Sequence, residues 1–278
     1  MQGLVITKNA DLFSVESGDK IYNIKPSGKT KEGGIFVGDR VEFDENITKV
    51  LPRKNLLIRP PVANIDRIFI VLSPSPKPDF VLVDKLIIYC VLNDIEPILV
   101  LNKIDLAKGD FVKDVYQDYG HSFKIVEVCA KSKNVQPLAN EIKGLCVLAG
   151  QSAVGKSSLI NALLDSDEKI GNLSKKIERG KQTTRIVKLF KLGQSYLADT
   201  AGFSLLDLGY VSKLEVRELS SYYPEFLDGR ARCKYRSCLH EGGKDCGVVE
   251  DVQSGKISKR RYENYLKILE ELKNNRRF

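Results

Sequence analysis

The chain has 278 residues, 42% of them apolar and 29% charged, with a net charge of +8. Domains run about 100–200 residues, so two or three are expected. The interspersed charge excludes a disordered polyelectrolyte, six cysteines are too few for a disulfide scaffold, no apolar run approaches the ~18 residues of a membrane span, and Met1 to Asp11 lack a secretory pattern, so a cytoplasmic protein away from membranes is the expectation.

Residues 1–63 read as β structure. Short runs rich in Val, Ile, Phe and Tyr recur at Gly3–Thr7, Leu12–Val15, Lys20–Ile24, Phe36–Asp44 and Ile47–Leu51, with polar or glycine turns between them. Five such strands fit a small closed barrel of the SH3 or OB type. Arg53, Lys54 and Arg59 make its exit basic, and Pro60-Pro61 predict a linker, because two prolines cannot continue a central strand.

Residues 64–211 change character. Arg67–Ser73 is a continuous apolar run of the kind a buried parallel strand needs. Asp79 is placed to cap a helix running through Asn93. Glu96–Leu101, Phe123–Val128 and Leu145–Ala149 are further strands with helical segments between them. The alternation predicts an α/β domain with a mainly parallel sheet and helices on both faces. In residues 212–278 the strand pattern stops. Ser212–Ser221 and Ser258–Asn274 read as helices, and Ser254 to Phe278 carry eight Lys/Arg against three Glu.

Gly150-Gln151-Ser152-Ala153-Val154-Gly155-Lys156-Ser157 matches G-x-x-x-x-G-K-[ST], entered by the strand Leu145–Ala149 and left by a helical run from Ser158 to Leu164. Glycines let backbone N–H groups wrap phosphates, and a helix N-terminus adds positive potential. Lys156 would reach the β- and γ-phosphates and Ser157 would ligate magnesium. Asn102-Lys103-Ile104-Asp105 resembles the N-K-x-D motif that reads guanine in GTPases. A carboxylate there accepts from the N1–H and N2 amine of guanine, and adenine would leave it unpaired. Cys129-Ala130-Lys131-Ser132 resembles the S-A-K motif, with Ala130 and Lys131 beside the base. Asp199-Thr200-Ala201-Gly202 resembles D-x-x-G, in which Asp199 would hold magnesium through water and the Gly202 N–H would sense the γ-phosphate. Gln182, Thr183 and Thr184 lie between the two phosphate motifs, and either threonine is a candidate to close over magnesium. N-K-x-D and the S-A-K-like segment precede the phosphate loop, so the motif order is circularly permuted.

Cys233-x₄-Cys238-x-His240-x₅-Cys246 sets out four metal ligands of the Cys₃His type common in structural zinc sites. Gly242, Gly243 and Gly247 allow tight turns there. Cys90, Cys129 and Cys146 sit in apolar segments and read as core residues.

Taken together, the barrel segment, the permuted motifs and the Cys/His loop resemble the ribosome small-subunit-dependent GTPase family RsgA (YjeQ) over nearly the whole chain. The resemblance implies a multidomain protein: an OB-fold β-barrel (1–63), a circularly permuted α/β P-loop GTPase domain (64–211) and a helical zinc-binding domain (212–278). It implies GTP hydrolysis to GDP stimulated by the small ribosomal subunit, a role in late maturation of that subunit, contact with its rRNA, one structural zinc, and magnesium with GTP or GDP; a monomer is the default. Two positions depart from familiar patterns. Phe203 stands where Ras-like enzymes carry the Gln that orients water, and Gln182 stands where the family usually has His, so Gln182 is the candidate for that role. Ala153 stands where the family often has Gly. A permuted GTPase of the large subunit, a non-hydrolysing scaffold that uses nucleotide as a switch, and a P-loop ATPase are the alternatives. The N-terminal barrel, the intact Lys156, Ser157 and Asp199, and the Asn102/Asp105 pair respectively argue against them.

Overall fold

The structure is a computed structural model. It describes residues 1–30, 34–58, 61–107, 109–169, 187–199 and 214–275. Gln182, Thr183, Thr184, Gly202 and Phe203 lie outside the described residues.

Strands β1 (Gln2–Asn9), β2 (Leu12–Ser17), β3 (Lys20–Ile24), β4 (Arg40–Phe43) and β5 (Ile47–Val50) form the barrel in the order β3-β2-β1-β4-β5. The ring closes where Ile47 N–H donates to the Lys25 carbonyl and Ser27 N–H to the Ile47 carbonyl, both at 2.9 Å. Alternate residues, among them Phe13, Val15, Val41 and Phe43, point inward to one core. Gly3 lets β1 and β2 approach closely, since a Cβ there would sit 2.5 Å from Val15 Cγ1. Arg53 does not make the barrel exit basic. It turns inward to the fully buried Asp39, with bonds of 2.7 and 2.8 Å, and lies over the Phe36 ring. The predicted proline linker is instead a two-stranded hairpin, β6 (Leu56–Ile58) and β7 (Pro61–Ala63). Proline is tolerated there because it opens a strand in a sheet of only two, and Leu57 and Val62 are buried.

The second unit carries the parallel strands β8 (Arg67–Leu72), β9 (Glu96–Leu101), β10 (Lys124–Glu127), β11 (Leu145–Ala149) and β13 (Ser195–Asp199), in the order β10-β9-β8-β11-β13. β12 (Lys188–Leu192) runs antiparallel to β13 and then pairs with β1, so barrel and α/β domain share one eleven-stranded sheet. The continuous apolar runs have a simple cause. Ile68, Ile70 and Leu72 face α1 (Phe80–Leu92) and α2 (Phe111–Tyr119), while Phe69 and Val71 face α3 (Gln136–Ala139) and α4 (Lys156–Lys169). Asp79 caps α1 as expected, accepting from Leu82 N–H at 3.0 Å.

The C-terminal unit holds α5 (Leu227–Ala231), α6 (Gly247–Gln253) and α7 (Lys259–Asn275) around Leu219, Tyr223, Phe226, Val248, Tyr265 and Leu269. Of the helix expected at 212–221, the described part is turn followed by 3-10 helix at Leu219–Tyr222. Pro224 stops propagation just beyond it, and Tyr223 is extended. Ile88 of α1 belongs to this third core, so α1 is buried on two sides. Part of the basic charge of α7 is spent within the protein. Arg261 is buried against Asp84 and Glu225, and Arg260 pairs with Asp114 and Asp118. Lys259 and Lys267 keep exposed side chains.

Candidate active site and metal centre

The C-terminal ends of β8, β9, β10, β11 and β13 lie along one edge of the sheet, where α/β folds bind ligands. The motif residues leave the sheet at this edge. Gly150, at φ +134, brings the phosphate loop so near β8 that a Cβ would meet the Val71 carbonyl at 2.4 Å. Gly155, at φ +97, has the Asn102 amide 2.4 Å from where its Cβ would be. Ala153 adopts φ +64, the left-handed region that favours glycine, consistent with the glycine expected there. Ser152, Ser157 and Ser158 are exposed at the mouth of the loop, and Val154 is buried beneath it.

Asn102 is the hub. Buried to 1%, it donates from Nδ2 to the Val154 carbonyl at 2.9 Å and accepts the Ala130 N–H at Oδ1 at 3.2 Å. One side chain thereby ties the ends of three strands together. Lys103, itself left-handed, donates to the carbonyls of Ala153 at 2.6 Å and Ser75 at 2.8 Å, clamping the phosphate loop to the segment before α1. Gln151 Oε1 accepts the Asp79 N–H at 3.0 Å, so the loop also holds the start of α1. Asp105 stands on the 3-10 turn Ile104–Leu106 with its carboxylate one-third exposed, near the exposed Lys131. Ile104 packs against the core beneath.

Lys156, first residue of α4, folds its ammonium onto the carbonyls of Gly150 at 2.7 Å and Gln151 at 2.6 Å. Burial lowers its pKa while the Asp199 charge raises it; burial raises the Asp199 pKa while Lys156 lowers it. The two opposite charges thus lie within electrostatic reach of one another, near the head of a helix whose N-terminus favours phosphate. Ser157 and Asp199 offer hard oxygen donors suited to magnesium. Sequence reasoning missed Gln151 and Lys103 as clamps, because their partners are carbonyl or N–H groups distant in the chain.

The Cys233, Cys238, His240 and Cys246 donor atoms all lie within 4.8 Å of one another. Cys246 Sγ is 3.8 Å from the sulfurs of Cys233 and Cys238, and His240 Nδ1 is 3.5 Å from Cys233 and Cys246. A tetrahedral zinc with bonds of about 2.3 Å to sulfur and 2.0–2.1 Å to nitrogen gives edges of roughly 3.8 and 3.5–3.6 Å, so the cluster fits that ion. Burial and the neighbouring thiols push Cys246 up to about 11, so a bound cation is what would make thiolates of the set. Tyr262 and Tyr265 of α7 donate to the carbonyls of His240 at 2.8 Å and Leu239 at 2.7 Å, holding the loop from below.

Among the described residues, no helix is long and apolar enough to cross a membrane. A family model described as RsgA GTPase matches residues 50–209. "Small ribosomal subunit biogenesis GTPase RsgA" of Geobacillus sp. (strain WCH70) is 38% identical, over 98% of this chain and 97% of the relative. The protein of the same name from Carboxydothermus hydrogenoformans is 39% identical, over 100% and 99%. The crystal structure of YjeQ from Thermotoga maritima superposes with a TM-score of 0.80 at 33% identity, covering 98% of both chains. YloQ, described as a circularly permuted GTPase, does so with a TM-score of 0.77 at 27% identity, covering 98% and 95%.

Proposed function

The chain belongs to the RsgA GTPase family, and from that premise we propose that it is an assembly GTPase that binds the small ribosomal subunit in its GTP form and leaves on hydrolysis. It is a GTP hydrolase of small-subunit biogenesis. The finer reading is late maturation, with turnover stimulated by the subunit, a monomeric cytoplasmic protein, and the divisions 1–63, 64–211 and 212–278 as barrel, GTPase and zinc domains. The observation that carries it is Asn102 bonding both the phosphate loop and the Ala130 backbone, which supports one composite nucleotide site despite the permuted order.

In this reading Asp105 takes the guanine edge, and Ala130 and Lys131 line the base. Gly150 to Ser158 cradle the phosphates, and Lys156 leaves the loop carbonyls for the β- and γ-phosphates. Ser157 and Asp199 would hold magnesium, which neutralises charge developing on the phosphates. Gln182 orients water, Thr183 or Thr184 closes the site and the Gly202 N–H senses the γ-phosphate. Zinc fixes the Cys233–Cys246 loop, and the barrel and zinc domain meet rRNA phosphates.

Steady-state GTP hydrolysis with small subunits, large subunits and neither is the test. Stimulation by small subunits alone is expected. GTP binding without stimulation would favour a nucleotide-dependent scaffold.

A further inference from the structure

The four donors of the metal loop are anchored unequally. Cys233 follows α5, its N–H donating to the Arg230 carbonyl at 3.3 Å. Cys246 opens α6, its carbonyl accepting the Glu250 N–H at 3.1 Å. Cys238 closes a turn, its N–H donating to the Tyr235 carbonyl at 3.1 Å. Leu239 and His240 belong to no helix or strand. Yet the buried His240 holds φ +54, a left-handed conformation that costs a residue with a side chain and persists only where its surroundings impose it. Helix α7 places two hydroxyls against this stretch. Tyr262 Oη donates to the His240 carbonyl at 2.8 Å and Tyr265 Oη to the Leu239 carbonyl at 2.7 Å. The two tyrosines are three residues apart on one helix face, with rings 18° from parallel, so both hydroxyls reach the same piece of chain. Burial pushes both tyrosines up in pKa, which keeps the hydroxyls protonated as donors.

We infer that Tyr262 and Tyr265 are positioning residues for the metal: their hydroxyls hold the left-handed backbone at His240 and so aim its Nδ1 at the cysteine sulfurs. This rests on the reading of the Cys/His cluster as a zinc site. Nδ1 is the ring nitrogen nearer the main chain, so few torsions lie between it and the backbone to absorb an error. It lies 3.5 Å from the sulfurs of Cys233 and Cys246. The His240 ring also has aromatic walls, with Phe226 edge-on at 6.3 Å and Tyr265 at 6.4 Å between centroids. The cysteines are held by their own helix ends and turn, so losing the two hydroxyls loosens the histidine above all. Helix α7 thus supplies no ligand, yet it decides how well the fourth one is presented.

The test is zinc affinity of the full chain, measured by competition with a chelator of known affinity, for Tyr262→Phe, Tyr265→Phe and the double variant. Phenylalanine keeps each ring and removes only the donor. Each single change should weaken zinc about three- to tenfold, and the double change about 10–100-fold. The same changes are then made in a His240→Ala background, where zinc has only the three thiolates. There they should cost less than about twofold, because the residue they act through is gone. Equal losses in both backgrounds would mean that the hydroxyls merely stabilise the unit, and no loss in either would mean that they do nothing for the metal; both results overturn the proposal and leave the zinc reading intact. A wild-type chain that binds no zinc overturns both. Should the double variant fail to fold, Tyr262→Phe, at the less buried position, decides by the same comparison. Should His240→Ala hold no metal, cobalt in place of zinc decides: a visible spectrum that loses the wild-type bands in the double variant supports the role, and an unchanged spectrum overturns it.

Discussion

The GTPase domain is held by its two neighbours in different ways. The barrel is attached through main chain: β1 pairs with β12 at Thr7 and Lys188, extending the central sheet, and Glu16 binds Lys191 and the Tyr196 hydroxyl alongside. The zinc-side unit is attached through buried side chains. Asp84 of α1, fully buried, accepts from Arg261 and Asn264 of α7 and from Tyr119 of α2, and Arg261 also reaches Glu225 at 2.6 Å. Backbone ladders tolerate changes of side chain; a buried charge cluster depends on every member. The cluster also acts on the helix whose first turn is held by Gln151 of the phosphate loop. The zinc side is therefore the joint at which one substitution reaches furthest.

The largest effect expected is from the metal loop. Structural zinc contributes about 10–16 kcal/mol in small zinc domains, so chelation or Cys246→Ser should release the His240 and Leu239 carbonyls from α7. Hydrogen exchange over 227–275 should rise strongly while the barrel stays protected. Equal protection with and without chelator would mean that packing around Phe226 and Tyr265, not the metal, holds this unit.

Next is Arg261→Met, which strands Asp84 without its cation and should cost about 3–5 kcal/mol in denaturant unfolding. Adding Asp84→Asn should return at least half of that, because an amide still serves Tyr119 and Asn264 without a buried charge. The cluster has its own cost. Tyr223 Oη, Glu225 Oε2 and Arg261 Nη2 are buried without a hydrogen-bond partner among the described residues. A single variant that loses under 1 kcal/mol, or a double variant no better than the single, would contradict this account of the joint.

Local signals were readable from sequence and long-range ones were not. β9 and β11 occupy Glu96–Leu101 and Leu145–Ala149 as expected, because a buried strand shows itself in a few consecutive apolar residues, and β3 occupies Lys20–Ile24 between polar turns. The phosphate loop and Cys/His spacings were legible for the same reason. Asp84 and Arg261 are 177 residues apart and each looks like an ordinary helix-surface charge. Nothing local in the helix running through Asn93 assigns Ile88 to the C-terminal core it serves. β12 was missed because Lys188 and Lys191 interrupt its apolar pattern, and only pairing with β13 and β1 makes it a strand. Cys129 read as core by its apolar neighbours, and nothing local points its sulfur at Asp105.

The smallest effect tests the barrel side. Glu16 is 10% exposed and Lys191 43%, so their ion pair is partly screened by solvent. Glu16→Gln removes the charge but keeps an acceptor for the Tyr196 hydroxyl, which now donates at 2.8 Å. The expected cost is about 1 kcal/mol or less, with slow exchange preserved at the strand amides around Thr7 and Lys188. The ladder that carries the joint has lost nothing, since its donors and acceptors are main chain. A loss comparable to that of Arg261→Met, with fast exchange at those amides, would show that Glu16 and not the ladder fastens the barrel. Both sides of the GTPase domain would then depend on single carboxylates, and the contrast between them would fall.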